Sequence, residues 1–199
     1  MSVTPTTMLR AVDDSGLLSI VDASAYSTFV DADWTYGQLL AHFTAEMSKG
    51  TILVWECGDG GGDYQIEVRT GFTDTQGFRS AIGYLRVENG SLNIASYTAL
   101  TMAAQFEEYG IPAKQESEEV FDVPWQSVRV RVVQMYDPDD YEVQPSVHFI
   151  LELEPGEAPP LDGVLWETSS KFPKGAQEEP APPWSRKRSG FLSKLLGRA

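Results

Sequence analysis

The 199-residue chain contains 42% hydrophobic and 11% aromatic residues, a composition typical of a folded globular protein and not of a disordered one. It has no apolar run of the roughly 18–20 residues that cross a bilayer, and its N-terminus lacks a basic stretch followed by an apolar one. Its one cysteine, Cys57, excludes an internal disulfide and a multi-cysteine metal site. We therefore expect a cytoplasmic protein with no metal and no cofactor.

The net charge of −14 is distributed unevenly along the chain. Residues 1–154 contain 8 Lys and Arg against 24 Asp and Glu, whereas residues 155–199 contain 7 against 5. An acidic body repels nucleic acid, because binding DNA or RNA requires basic side chains that replace the phosphate counterions. The same charge attracts a basic partner, although it also keeps a protein soluble when no partner exists. The charge therefore disfavours nucleic-acid binding.

The first 16 residues are polar, and we expect them to be loosely held. Residues 17–21 and 26–30 are two apolar segments on either side of Asp22-Ala23-Ser24. Because Asp and Ser are common in turns between strands, this arrangement predicts a hairpin.

Residues 33–50 have the pattern of an amphipathic helix. Thr35 and Gln38 have the spacing of a capping box at its start, and Gly50 can adopt the left-handed conformation that ends a helix. The apolar residues on one face are Tyr36, Leu39, Leu40, Phe43 and Met47. We expect this face to pack against the core.

Glycine-rich turns separate the next strands. Residues 51–57 and 64–70 flank the loop Gly58-Asp59-Gly60-Gly61-Gly62-Asp63, and we predict that they form a hairpin. The loop lacks the Lys-Ser/Thr of a phosphate-binding loop, and its carboxylates would repel phosphate, so we interpret it as a flexible connection. Residues 81–87 and 92–96 predict another hairpin, because Asn89-Gly90 between them favours a tight turn.

Residues 97–109 predict a second helix, which ends at Gly110 and Pro112. An acidic link follows, and then a short strand at 120–123. The most strongly patterned stretch is 128–154, in which two strands of alternating apolar residues flank an acidic loop. The residues predicted to face the core are Val128, Val130, Val132, Val147, Phe149, Leu151 and Leu153, with His148 and Glu152 on the other face.

The composition changes after Glu154. Prolines interrupt residues 155–188, which we interpret as a linker that contains one segment, 163–167, able to dock as a strand. Residues 189–199 form a short basic amphipathic segment. The tail residues that we expect to dock on an anionic membrane or in a partner's groove are Arg186, Lys187, Arg188, Phe191, Leu192, Leu195 and Leu196.

These elements predict an α+β domain over residues 1–154. Short connections favour antiparallel pairing, because parallel strands require a long crossover. We therefore expect a mainly antiparallel sheet, curled or two-layered, with two helices packed on one side and a Pro-rich C-terminal tail.

We find no pattern typical of a catalytic or metal site. His42 lies among apolar residues of the first helix and His148 on the outer face of a strand, so neither has an evident nucleophile to activate. Cys57 lies beside Glu56 and Asp59, whose charges disfavour a thiolate. The chain also lacks a Gly-x-Ser-x-Gly elbow, a zinc-ligand spacing and a dinucleotide fingerprint. We therefore predict a protein that is not an enzyme.

Two acidic clusters are the predicted partner-binding sites. Their residues are Glu116, Glu118, Glu119 and Asp122 in the first, and Asp137, Asp139, Asp140 and Glu142 in the second. Together with the acidic body, they favour a cytoplasmic inhibitor or immunity-type protein that neutralises a basic protein partner such as a toxin.

Two alternatives remain open. The basic tail fits a peripheral adaptor that makes weak contact with a membrane or docks on a larger machine. An enzyme with an acid-lined site is the other alternative, because carboxylates with perturbed pKa values in a cleft leave no signature in a sequence.

Overall fold

The computed structural model describes residues 6–58, 60–111, 119–140 and 145–167. These residues form two helices and nine strands. In chain order the elements are β1 (Thr6–Asp13), β2 (Leu17–Val21), α1 (Tyr36–Lys49), β3 (Ile52–Glu56), β4 (Gly62–Thr70), β5 (Arg79–Arg86), β6 (Ser91–Ser96), α2 (Tyr97–Gln105), β7 (Val120–Asp122), β8 (Ser127–Gln134) and β9 (Phe149–Pro155).

The strands form two sheets. The first has the order β1-β4-β9-β8-β5 and is antiparallel except where β4 runs parallel to β9. The second has the order β3-β2-β6-β7 and is antiparallel throughout. Helix α1 contacts β3 and β5, and α2 contacts β2 and β6. The predicted α+β fold with a mainly antiparallel, two-layered sheet is confirmed.

The strongly patterned stretch forms the central pair of the first sheet, as predicted. In β8 and β9, Val130 lies opposite Leu153 and Val132 opposite Leu151, and all four side chains are buried. Glu152 was expected to face water, but it is fully buried. The loop after β4 lies over this outer face, and Thr73 from that loop donates a hydrogen bond to the Glu152 carboxylate.

The predicted hairpins are wrong. Strand β2 pairs with β3 and β6, and residues 26–30 run beside α2, where the Val30 N–H donates to the Ala104 carbonyl at 2.9 Å. Strands β3 and β4 belong to different sheets, and so do β5 and β6. The predicted turns do reverse the chain, and Gly90 has a φ of 71°. The loop at 58–63 and the turn at 89–90 each carry the chain across to the other sheet, so the strands on either side of them do not pair. The turn at 22–24 leads into residues 26–30, which form no strand.

Residues 6–13, which we expected to be loosely held, form the edge strand β1. Leu9, Ala11 and Asp13 point inward and are buried. The strand pattern of residues 6–13 is weak in the sequence, because alanine and aspartate, which take two of its inward positions, are both depleted in strands.

The first helix is capped as predicted. The Thr35 hydroxyl accepts the Gln38 N–H at 3.3 Å, and the Gln38 side chain accepts the Thr35 N–H at 2.7 Å. Gly50 ends the helix with a φ of 74°. Helix α2 is shorter than predicted and ends at Gln105. Among the described residues, neither helix is both long and apolar enough to cross a membrane.

The described chain ends with a segment that lies against the second sheet. The Glu56 N–H donates to the Leu165 carbonyl at 3.0 Å, and the Leu165 N–H donates to the Val54 carbonyl at 2.9 Å. Val164 and Leu165 are buried. This segment covers the edge of β3 that does not pair with β2.

Candidate functional site

One end of the sandwich collects carboxylates from separate parts of the chain. The strand registers place the end of β1, the start of β4, the end of β8 and the start of β9 at the same end of the first sheet. The start of β2 and the ends of β3 and β6 lie there in the second sheet, because the Asp13 carboxylate at the end of β1 accepts the N–H groups of Leu17, which begins β2, and Tyr97, which follows β6. We call this region the acidic end, defined by Asp13, Asp14, Glu56, Asp63, Asp137, Asp139, Asp140 and Glu167.

Asp13 holds the acidic end together from inside. Its buried carboxylate accepts the backbone N–H groups of Ser15 at 2.9 Å, Leu17 at 3.1 Å and Tyr97 at 2.7 Å. These bonds join β1, the start of β2 and the N-terminus of α2. A carboxylate that accepts several backbone N–H groups is a structural support, so Asp13 is not available to a partner.

The acidic loop after β8 presents its side chains outward. The Asp137 carboxylate accepts the Asp139 N–H at 3.0 Å, and the Asp137 carbonyl accepts the Asp140 N–H at 3.0 Å. Pro138 is buried and packs against Gly58, where a Cβ would lie 2.6 Å from the proline ring. The side chains of Asp137, Asp139 and Asp140 are exposed. The turn is therefore anchored while its carboxylates face solvent.

The basic residues at this end already have acceptors. In the described part of the chain, Arg10 and Arg79 are the Lys or Arg residues that the registers place here. Arg10 donates to the Asp63 carboxylate at 2.8 and 2.6 Å. Arg79 donates to the Gln134 side chain at 2.6 Å and to the Glu56 carbonyl at 2.9 Å, and its guanidinium lies 4.4 Å from the Trp166 ring centre.

The half-buried tyrosines at this end have shifted pKa values. Burial, reinforced by the charges of Glu56 and Glu167, raises the pKa of Tyr36 to about 12. Burial and then the charges of Asp13 and Asp14 raise the pKa of Tyr97. Both shifts oppose the formation of further negative charge, as expected where carboxylates outnumber the cations near them.

The structure separates the two predicted acidic clusters. Asp137, Asp139 and Asp140 lie together at the acidic end. Asp122 is exposed and lies opposite Ser91, at the far end of β6 from the acidic end. Half-buried Glu119 lies between these regions, and its carbonyl accepts the Ile94 N–H at 2.9 Å.

The other predicted site residues lie outside the described residues. They are Glu116, Glu118, Glu142, Arg186, Lys187, Arg188, Phe191, Leu192, Leu195 and Leu196. The sequence interpretation also missed acidic residues that the fold brings beside the Asp137 turn. Asp14 follows a strand that was not predicted, although Asp13-Asp14-Ser15-Gly16 is itself a turn signal. Glu56 and Glu167 are close in space only because residue 165 bridges to β3.

His148 and the cysteine have structural surroundings. His148 Nδ1 accepts the Gln65 N–H at 3.0 Å, and its ring contacts Tyr64 and Tyr136 edge-on. Cys57 is fully buried, and its carbonyl accepts the Gln134 side chain at 2.7 Å. Within the described ranges, no group of His, Cys, Asp and Glu has metal-binding geometry.

Two solved structures resemble the chain. One is titled "Crocagin biosynthetic gene J"; it is 13% identical with a TM-score of 0.51, and the match covers 77% of this chain and 99% of that one. The other is ComJ from Bacillus subtilis, titled an inhibitor of the DNA-degrading activity of NucA; it is 10% identical with a TM-score of 0.43, covering 76% and 98%. The first likeness shows a shared fold, and the second is too weak to show even that. Neither a protein-family model nor a curated protein matches the sequence.

Proposed function

We propose that this chain is a non-enzymatic binding protein of the inhibitor or immunity type, and that its acidic end binds a basic surface of a protein partner. The observation that supports the proposal is the charge arrangement at that end. Exposed Asp137, Asp139 and Asp140 project from an anchored turn, whereas Arg10 and Arg79 are bound within the domain. A negative surface with this layout favours a partner rich in Lys and Arg.

The charges chiefly affect the rate of association and the choice of partner. A surface of one sign accelerates association with an oppositely charged protein and raises the cost of binding an acidic one. A single exposed ion pair contributes only about 0.2–1 kcal/mol. Affinity therefore requires several pairs acting together, and the anchored turn at 137–140 holds three carboxylates in position for this.

The same charges argue against a nucleic acid as the partner. A nucleic acid would bring phosphates against Asp139, Asp140 and Glu167, and the described cations at this end are bound to acceptors of the domain itself. Nucleic-acid binding depends on cations that replace phosphate counterions. We therefore assign the surface to a protein partner and not to DNA or RNA.

The test uses matched charge variants of the full chain. D139N/D140N removes two negative charges at the acidic end, and E88Q/E157Q removes two from exposed residues at the other end of the domain. The immobilised proteins are incubated with native lysate at low and high salt, the captured protein is identified and purified, and its affinity and activity are measured with each variant.

We expect a basic protein that binds at low salt and loses activity on binding. D139N/D140N should weaken binding about fivefold, because two exposed pairs contribute roughly 0.5 kcal/mol each, and E88Q/E157Q should bind like the original chain. Equal weakening by both variants would show that total charge, and not the acidic end, is responsible. Capture of no basic protein at low salt would refute the proposal.

A further inference from the structure

Exposed aromatic side chains lie together beside the end of α2. Four Phe, Tyr or Trp residues of the described chain are exposed, and three of them lie here: Phe29 at 41%, Phe106 at 40% and Tyr109 at 47%. Soluble proteins rarely expose large apolar side chains in one place, and such patches mark interaction sites. We call this surface the aromatic patch, defined by Phe29, Asp31, Phe106, Glu107, Glu108 and Tyr109.

Hydrogen bonds hold the two segments of the aromatic patch side by side. The backbone N–H groups of Val30 and Asp31 both donate to the Ala104 carbonyl, at 2.9 and 3.2 Å. The Gln105 side chain donates to the Ala32 carbonyl at 3.2 Å. The segment before α1 therefore lies along the last turn of α2, and the aromatic side chains of the two segments belong to one surface.

The aromatic rings after α2 are exposed because the helix ends where a further turn would bury a charge. Ala103 lies on the buried face of α2, and one more turn would place Glu107, four residues later, on the same face. The helix ends at Gln105 instead, and the Phe106 backbone is extended, with a φ of −120°. The Tyr109 N–H then donates to the Phe106 carbonyl at 2.9 Å. This turn keeps Glu107 in water and leaves both rings on the surface.

The aromatic patch lies in a part of the domain that has few basic residues. Residues 22–48 and 91–111 contain no Lys or Arg, and the described arginines all lie on strands of the first sheet. Glu107 and Glu108 are exposed, and within the described chain neither side chain has a hydrogen bond or an ion pair. Asp31 is also exposed, although its carboxylate accepts the Asp33 N–H at 2.9 Å. The carboxylates beside the rings are therefore not neutralised by a described cation.

Aromatic rings beside carboxylates favour one kind of occupant. A second copy of this chain would bring like charges together, and a nucleic acid would bring phosphates against them. An arginine side chain fits both groups, because its planar guanidinium stacks on a ring while its N–H groups donate to a carboxylate. The fold makes the first contact twice: the Arg79 guanidinium lies 4.4 Å from the Trp166 ring centre, and that of Arg129 lies 5.2 Å from the Phe72 ring centre.

We propose that the aromatic patch is a second docking surface, which binds an arginine-bearing segment of a partner protein. Guanidinium groups of that segment stack on Phe106 and Tyr109, and Glu107 and Glu108 accept their N–H groups. The surface is separate from the acidic end, because α2 begins at that end and its 9 residues span roughly 14 Å. The inference goes beyond the proposed function, since the aromatic patch can bind arginine whether or not the acidic end binds a partner.

The first experiment compares two octapeptides of equal charge, one alternating glycine with arginine and the other alternating glycine with lysine. Each is titrated into the full chain, and the backbone amide signals are followed by NMR. We expect the signals of residues 29–32 and 105–109 to shift along one binding curve, with the arginine peptide binding there about threefold or more tightly than the lysine peptide. Equal affinity of the two peptides at these residues, or no shift there, would overturn the proposal.

The second experiment removes the rings and keeps the charges. F106S/Y109S deletes two rings of the aromatic patch, whereas the matched variant F78S/I82S deletes two exposed apolar side chains at and beside β5. In F106S/Y109S, the arginine peptide should bind at residues 29–32 about fivefold more weakly, and no more tightly than the lysine peptide. F78S/I82S should bind both peptides like the original chain. An unchanged preference for arginine in F106S/Y109S would overturn the role of the rings.

The same titrations separate the inference from the proposed function, because the signals of residues 137–140 report on the acidic end. Shifts at residues 105–109 that persist in D139N/D140N and are lost in F106S/Y109S would support the aromatic patch independently of the acidic end. Shifts confined to residues 137–140 would refute the aromatic patch and leave the proposed function standing. Shifts confined to the aromatic patch, with no basic protein captured from lysate, would support the patch and refute the proposed function.

Discussion

The carboxylates at the two ends of the sandwich differ in what they bind. At the end remote from the acidic end, which we call the paired end, two carboxylates bind cations: Glu46 contacts Lys49 at 2.6 Å and Glu154 contacts Arg129, while Glu88 and Glu157 are exposed. At the acidic end, Asp63 pairs with Arg10, but Asp13 binds backbone N–H groups and the carboxylates of the Asp137 turn face solvent. The location of the cations, and not the net charge of −14, determines which surface can attract a partner.

On the outer face of the first sheet, the carboxylate of Glu152 forms a buried ion pair with Arg131. Glu152 is fully buried, and Arg131 contacts it at 3.0 Å while also donating to the carbonyl groups of Thr73 and Thr75. Such a pair fixes the position of the loop over the sheet. The pair adds little to the field outside the protein, because its two charges are opposite and close together.

The largest expected effect comes from breaking this pair. E152Q leaves half-buried Arg131 without its counter-charge, and loss of one partner of a buried pair costs up to about 3–5 kcal/mol. Guanidinium unfolding monitored by fluorescence should show this loss. The double variant R131M/E152L, which replaces both charges by apolar groups, should recover most of the lost stability. A loss of less than about 1 kcal/mol in E152Q would show that the pair is not a structural constraint.

We expect a smaller loss of stability when Asp13, which supports the acidic end, is replaced. D13A leaves the N–H groups of Ser15, Leu17 and Tyr97 without their acceptor, which should lower the free energy of unfolding by about 3 kcal/mol. The matched variant D14N changes the exposed neighbouring carboxylate and should alter stability by less than about 0.5 kcal/mol. Denaturant unfolding of both variants measures the difference. Equal effects would mean that Asp13 acts only through its charge.

The sequence predicted those parts of the fold that depend on local patterns. The capping residues Thr35 and Gln38 identified the first helix, and the alternating valines and leucines identified β8 and β9. Both signals arise within a short stretch of chain. The apolar content of β8 and β9 was high enough to indicate pairing, because each strand faces the core along its whole length.

Strand partners and the acidic end could not be predicted in the same way. Asn89-Gly90 indicates a turn equally well whether the next strand pairs with the previous one or crosses to the other sheet. The acidic end depends on those crossings, since Asp14, Glu56 and Glu167 are distant in sequence and meet only through the strand registers and the bridge at residue 165. The sequence shows the run of acidic residues at 137–140, but it does not show which other acidic residues lie beside that run in the fold.

The smallest expected effect concerns pH at the paired end. His42 lies one turn before Glu46 in α1, its Nε2 atom is buried without a hydrogen-bond partner among the described residues, and burial lowers its pKa below the usual 6.5, opposed by the charge of Glu46. Because the folded-state pKa is the lower one, the unfolded chain binds the proton first. The contribution of neutral His42 is therefore complete above pH 6.5 and is lost as the pH falls through 6.5 toward the folded-state pKa.

Urea unfolding at pH 7.5 and pH 5.5 measures this loss against H42N, which cannot titrate in that range. The original chain should lose more stability than H42N between the two values, by less than about 1 kcal/mol because Glu46 offsets part of the burial. Carboxylates that protonate at the lower pH affect both proteins equally and cancel in the difference. An equal loss in the two proteins would show that His42 titrates as it does in water, and that the paired end tolerates a further positive charge.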